Sequence, residues 1–239
     1  TIELKNANNT KDKFFSIIGH DLKSPLNSII GFSSLMDSEY DTLTDDERKQ
    51  FIGDIYSSSE TLLKLTDNLL NWARAQSGSI NCHPTDFDIN ELATETIGLL
   101  IPNAQKKKIS ISNRMEKTYM VFADMNMIHT VLRNLISNAI KFTQQGGKVI
   151  IEAQEKDEFL EISIKDNGMG ISKKDISKLF IISEKFKTEG TDHEKGTGLG
   201  LMLSKEFVLM NKGDIRVESQ IGKGSTFGFT LPLSSKVFS

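Results

Sequence analysis

The chain has 239 residues, of which 38% are hydrophobic and 26% charged, and a net charge of −3. That length suffices for one large domain or two modest ones, and the weakly acidic balance leaves no electrostatic footprint for nucleic acid. A single cysteine, Cys82, excludes an internal disulfide framework, and with only His83 beside it nothing resembles a zinc site.

The opening stretch TIELKNANNTKDK carries no signal-peptide pattern and reads as a piece of something longer. No apolar run is long enough to cross a bilayer, so a cytosolic segment without membrane contact is expected, with room for a membrane anchor elsewhere in a longer protein. Two long helices follow, predicted over about 10–37 and 44–77. In the first, Phe15, Leu22, Ile29 and Met36 recur every seven residues, with Ile18, Pro25 and Phe32 as a companion row. With Phe15 at heptad position a, His20 falls at f, away from that seam. Asp21 stands beside it, and Ser24 lies one turn further along the same exposed face. Pro25 has no N–H for the carbonyl of Asp21, so a bend is expected there. The stretch is either a kinked helix with a surface histidine or an exposed nucleophile beside a carboxylate.

The second helix opens with a capping box, Thr44-Asp45-Asp46-Glu47, and carries Ile55, Leu62 and Leu69, with Ile52, Thr66 and Ala73 on the same face. The short polar connector DSEYDTLT makes the two helices antiparallel. Two helices form a weak core alone, and a dimeric four-helix bundle would cover both seams.

The pattern changes near 78–86, where a domain junction is expected: a helical domain over 1–80 and an α/β sandwich over 86–235. In order come a helix opened by Asp88 and bent or ended at Pro102, a solvated lysine run at Lys106–Lys108, and strands KISISN and YMVFAD. A strong helix, MNMIHTVLRNLISNAIKFT, precedes strands KVIIEAQ and FLEISIKD, which alternate apolar and polar residues. A helix near 172–180, a Gly/Lys/Glu-rich loop, the helix LGLMLSKEFVLMN and strands DIRVESQ and TFGFTLPL complete the chain. One mixed sheet with helices on one face is predicted, so the fold class is α+β.

Three stretches carry chemistry. Asn134, Asn138 and Lys141 form one helical stripe, either a solvated polar face or a place where amide oxygens meet a hard cation and a lysine meets phosphate. In IKDNGMGI a strand ends at Asp166, and Gly168 and Gly170 permit a tight turn; a carboxylate there can accept from an adenine amino group. In KGTGLGL, Gly196, Gly198 and Gly200 precede a helix whose N–H groups can receive phosphate oxygens. No strand leads into that run and no Walker ending follows it, so it is not a Rossmann or P-loop signature.

Taken in order, these stretches resemble the histidine-kinase family over essentially the whole chain. GHDLKSPLNSIIGF is similar to its H-box, NLISNAIKFT to its N-box, DNGMGI and KGTGLGL to its first two glycine boxes, and GKGSTF to the last. The resemblance implies a dimerisation and phosphotransfer domain followed by an ATP-binding domain. His20 would be the phosphoacceptor, Asp21 its acid–base partner, and Ser24 a residue that orients water during dephosphorylation of a response regulator. Asn138 would hold Mg2+, Lys141 would meet phosphate, and Asp166 would read adenine. Asn134, Phe142, Gly168, Gly170, Gly196, Thr197, Gly198, Leu199, Gly200 and Thr226 would line the ATP site, beneath a lid at about 183–197. The implied partners are a second copy of the chain and a response-regulator receiver domain. One departure stands out: the family's phenylalanine pair is three residues apart, whereas LFIISEKFKTEGT separates Phe180 from Phe186 by six. The rival readings are a nucleotide-binding scaffold without autokinase activity, and an ATPase of the chaperone or mismatch-repair type that shares the glycine boxes.

Overall fold

The computed structural model describes residues 2–180, 190–192 and 199–234, with side chains from residue 19 onward except those of His20 and Gln76. The chain divides into two compact units between Ala73 and Arg74.

The first unit is a helical hairpin. Helix α1 (Ile2–Ser38) runs through Pro25, and α2 spans Asp45–Gln76. The turn between them is fixed by side chains. Thr44 N–H donates to Glu47 Oε2 at 2.8 Å and Glu47 N–H donates back to Thr44 Oγ1 at 3.3 Å, which completes the capping box. Arg48 donates twice to the Tyr40 carbonyl, pairs with Asp45 at 2.9 Å and stacks 4.3 Å from the Tyr40 ring. Rings of Phe32 and Phe51 meet at 5.4 Å. Leu22, Pro25, Ile29, Phe32 and Met36 are half-buried, as are Ile55, Leu62 and Leu69. The expected face of α2 needs one correction. Ile52 and Ala73 are exposed, and among the described side chains of the hairpin Leu65 is the one buried.

The second unit is built on a five-stranded mixed sheet ordered β2-β4-β5-β7-β6: β2 (Ser110–Asn113), β4 (Lys148–Lys156), β5 (Phe159–Asp166), β6 (Ile215–Gln220) and β7 (Gly224–Pro232). Among these strands only β2 and β4 pair in parallel. Helices α3 (Ile89–Lys106), α4 (Met125–Phe142) and α6 (Gly200–Met210) lie side by side, packing on β2, on β4 and β5, and on β7 respectively. The strand period of two explains the core: Leu160, Ile162 and Ile164 of β5 point to the helices along with Val149, Ile151, Phe227, Phe229 and Leu231. On the other face Glu161 is buried between Lys156 and Arg216. Strands β1 (Thr85–Asp88) and β3 (Met120–Ala123) form a separate antiparallel pair rather than joining one sheet, tied to the end of β7 through Val121 and Leu233.

Asp88 and Asp124 cap α3 and α4, accepting from Asn90 and from Asn126 and Met127. Pro102 does not end α3. The carbonyl deprived of a donor belongs to Gly98, which is exposed, so water can satisfy it. The helix expected near 172–180 shortens to α5 (Lys173–Ile176), because the next bonds, Lys178 N to Asp175 O and Leu179 N to Ile176 O, span three residues instead of four. The lysine run is not a solvated helix end either: Lys107 is 5% exposed. Cys82 is half-buried, 3.5 Å from Asn211 Oδ1, and burial raises its thiol pKa.

Candidate nucleotide site

Asp166 extends the inward row of β5 by one more residue, so a carboxylate occupies the place where an apolar side chain would otherwise follow Ile164. It is 6% exposed. Its Oδ1 accepts from the backbone N–H of Gly168 at 2.8 Å and of Ser225 at 3.2 Å. Burial raises its pKa, and those two donors offset part of the rise. Its second oxygen, Oδ2, has no hydrogen-bond partner among the described residues.

Two glycines allow the chain to close around this carboxylate. A Cβ on Gly168 would overlap the Phe142 carbonyl, and a Cβ on Gly224, whose φ is +99°, would overlap the Asp166 carbonyl. Further ties run from Met169 N to Phe142 O at 3.1 Å and from Gly222 N to Met169 O at 2.8 Å. The turn at 166–170 is therefore pinned between the end of α4 and the β6–β7 turn, and Gly170 packs against the Gln220 carbonyl in that turn.

Helix α4 carries Asn134, Asn138 and Lys141 as one half-buried stripe beside its apolar face. Asn134 Nδ2 donates to Gly200 O at 3.3 Å and Ser204 Oγ at 3.4 Å, which ties α4 to the first turn of α6. Asn138 has no side-chain partner among the described residues. Lys141 Nζ lies 4.9 Å from the Phe142 ring. Leu199, buried at the N-cap of α6, supplies no side-chain cap to the first-turn N–H groups. Thr226 lies in β7 opposite Lys165 and Glu218, next to Ser225.

The structure thus brings Asp166, Gly168 and Phe142 into contact, and joins Asn134 to Gly200. Gly196, Thr197, Gly198 and Phe186 lie outside the described residues, as does the expected lid apart from 190–192. In the hairpin unit, His20, Asp21 and Ser24 fall on α1. The orientation expected for His20 lies outside the described side chains, Asp21 is half-buried and Ser24 is exposed. Gly224 and Ser225 lie in the last glycine box, GKGSTF, but no role could be given to either from the sequence, because each acts through its backbone. No group of three or more metal-ligating side chains occurs among the described residues, and no helix among them is long and apolar enough to cross a membrane.

Residues 10–78 match the His Kinase A (phospho-acceptor) domain, and residues 123–235 match the family described as histidine kinase-, DNA gyrase B- and HSP90-like ATPase. The chain is 32% identical over 97% of its length to the non-motile and phage-resistance protein of Caulobacter vibrioides, of which it spans 28%. The first curated relatives are matched over 23% to 44% of their lengths. Among solved structures it is similar to full-length ShkA in complex with AMPPNP, at 26% identity, TM-score 0.67, over 93% of this chain and 46% of that one. A fold likeness at 22% identity and TM-score 0.73 covers 97% of this chain and 64% of histidine kinase ThkA, solved with the response regulator protein TrrA.

Proposed function

Because the chain belongs to the histidine kinase family, carrying both its phosphoacceptor and its ATPase domain, we propose that it transfers the γ-phosphoryl group of ATP to His20 and then to an aspartate of a response-regulator receiver domain. The observation that carries the nucleotide half is the open Oδ2 of Asp166: an accessible oxygen without a partner, on an otherwise buried carboxylate, suits a ligand N–H, and the adenine amino group is such a donor. The uncapped first turn of α6 and Lys141 then offer N–H groups and a point charge to the phosphates.

Mg2+ fits the same residues in one way. With no cluster of ligating side chains among those described, the ion has to share its shell with phosphate oxygens and water, and the unpartnered amide of Asn138 supplies one protein oxygen. When bound, it neutralises charge on the transferring phosphoryl group. The remaining chemistry belongs to the chain. One imidazole nitrogen of His20 attacks γ-phosphorus, the bond to the bridging oxygen breaks, and ADP leaves. Asp21 accepts the proton from the other ring nitrogen and stabilises the charge that develops. Since His20 and Asp166 belong to different units, transfer requires the two to meet during the cycle.

The chain acts as a homodimer on this reading, and its setting is cytosolic. The experiment is incubation with γ-labelled ATP followed by acid and alkali treatment. Label that is acid-labile and alkali-stable, and that moves to one member of a panel of receiver domains, is the expected result. Nucleotide binding without any such label would favour the scaffold reading instead.

A further inference from the structure

The last carbonyls of an α-helix lack intrahelical donors, and that end of the dipole favours a cation. At the end of α4 they are taken up by separate segments. Phe142 O accepts from Met169 N and Lys141 O from Thr191 N, each at 3.1 Å. Lys141 O accepts a second bond, from Lys107 Nζ at 3.0 Å. The same ammonium lies 2.5 Å from Thr191 Oγ1, and the proton of that hydroxyl can go to Thr143 O at 2.8 Å.

Lys107 is itself held in place. It is the C-cap of α3, its N–H bonds back to Ala104 O at 3.1 Å, and its carbonyl accepts from Gly146 N at 3.0 Å. An enclosed ammonium is costly unless paired, and a helix-end carbonyl and a threonine hydroxyl are among its acceptors. Both lie in separate segments of the nucleotide domain, so these two contacts tie the end of α3 to the end of α4 and to Thr191. One of them is the backbone of the residue whose side chain is assigned to phosphate.

We infer that Lys107 is a positioning residue for the phosphate end of the nucleotide site: its ammonium clamps Thr191 onto the Lys141 carbonyl, and so sets the Asn138–Lys141 stripe before ATP arrives. This rests on the nucleotide reading given above. Asp166 is held by different donors, Gly168 and Ser225, so loss of the clamp should reach the phosphates and spare adenine recognition.

The test is titration of wild type, Lys107→Met, Lys107→Arg and Thr191→Val with a non-hydrolysable Mg-bound ATP analogue and, separately, with adenosine. Removing charge-assisted hydrogen bonds predicts a loss of about tenfold for the triphosphate in Lys107→Met, with adenosine affinity changed by less than about twofold. Lys107→Arg should recover part of the loss, and Thr191→Val should show the same selectivity at smaller size. Equal losses for both ligands, or none in a folded variant, overturn the inference. If Lys107→Met does not fold, the half-buried Thr191→Val decides by the same comparison. Wild type that binds neither ligand would overturn the nucleotide reading itself, whereas selective failure of the variants to respond sinks the clamp alone.

Discussion

The two units differ in how far they complete their own burial. In the sheet unit, Val131, Leu132, Leu135, Ile136, Ile151, Ile162 and Phe229 have no exposed surface left. In the hairpin, among the described side chains, Leu65 at 2% is the one buried apolar residue, while Leu26, Ile30, Ile52, Tyr56, Leu63 and Leu70 stand exposed. A buried leucine contributes roughly 1.5–3 kcal/mol. The sheet unit therefore has a finished core, which suits a site whose atoms must stay fixed. The described part of the hairpin has half a core, which the proposed second copy would complete. The second row is also what the seven-residue reading did not separate: Tyr56, Leu63 and Leu70 are spaced like Ile55, Leu62 and Leu69 but lie one residue round the helix.

The sharpest break between the units is chemical. His20→Gln should abolish acid-labile labelling completely and leave ATP affinity unchanged, since the nucleotide is assigned to the other unit. Residual labelling measured under the same conditions would remove His20 from its role. The next largest effect is on assembly. Leu63→Lys combined with Leu70→Lys should weaken dimerisation by at least about 4 kcal/mol, roughly a thousandfold, because two apolar contacts per subunit are replaced by charge. Light scattering should then report a monomer at concentrations where the wild type is a dimer, while the melting transition of the sheet unit is unchanged. A wild-type chain that stays monomeric at tens of micromolar (on the order of the range for a weak dimer) would refute the unfinished-core reading.

Within the sheet unit, Asp166→Asn separates recognition from stability. Its carbonyl oxygen can still accept from Gly168 and Ser225, but an NH2 group then occupies the position of Oδ2 and faces the adenine amino group donor to donor. ADP affinity should fall by about 2 kcal/mol, near 30-fold, with or without metal. Equal ADP binding by the variant, measured by calorimetry, would take the adenine role from Asp166.

Acidity provides a smaller effect of the same origin. Because burial raises the pKa of Asp166, wild-type affinity for ADP should decline on acidification at a higher pH than an ordinary carboxylate would dictate, and the Asn variant should lack this component. Between the ordinary carboxylate pKa and the raised one, the native state binds more protons than the unfolded state. The stability contributed by Asp166 is thus present at low pH and is lost as pH rises through the folded pKa. Above that window the Asn variant, free of the buried charge, should be at least as stable as wild type. A thermal melt at neutral pH showing marked destabilisation would contradict this.

Legibility in the sequence followed the range of the interaction. The capping box at Thr44–Glu47, the apolar row of β5 and the Asp166 turn are local patterns of two to seven residues, and they could be read directly. Lys107 could not, because it sits between two other lysines and its partners lie 34 and 84 residues away. Asp166 was legible as a carboxylate in a glycine turn. The two donors on its Oδ1 were only half so, since the Ser225 N–H comes from a backbone on a neighbouring strand and leaves no side-chain signature. The separate β1–β3 pair was hidden for a similar reason: β1 is only four residues long, and its burial pattern shows little alternation.

The smallest expected effect returns to the hairpin. Ser24 is exposed on α1 one turn beyond His20, and its carbonyl already accepts from Ser28 Oγ at 3.3 Å, leaving its hydroxyl to act on solvent. A hydroxyl that can donate or accept is able to orient a water for attack on a regulator's phosphoaspartate, but it reaches less far than an amide side chain would. Phosphatase activity should therefore be weak, and Ser24→Ala should slow regulator dephosphorylation by only a few fold, on the order of one ordinary hydrogen bond. Autophosphorylation should be nearly unaffected, because in the proposed reaction the reacting atoms belong to His20 and ATP. The measurement is decay of a purified phosphorylated regulator mixed with each variant and ADP. Identical decay with wild type and Ser24→Ala would leave the serine as the last residue before a proline. The hairpin would then act only as a carrier of the phosphoryl group, with no part in removing it.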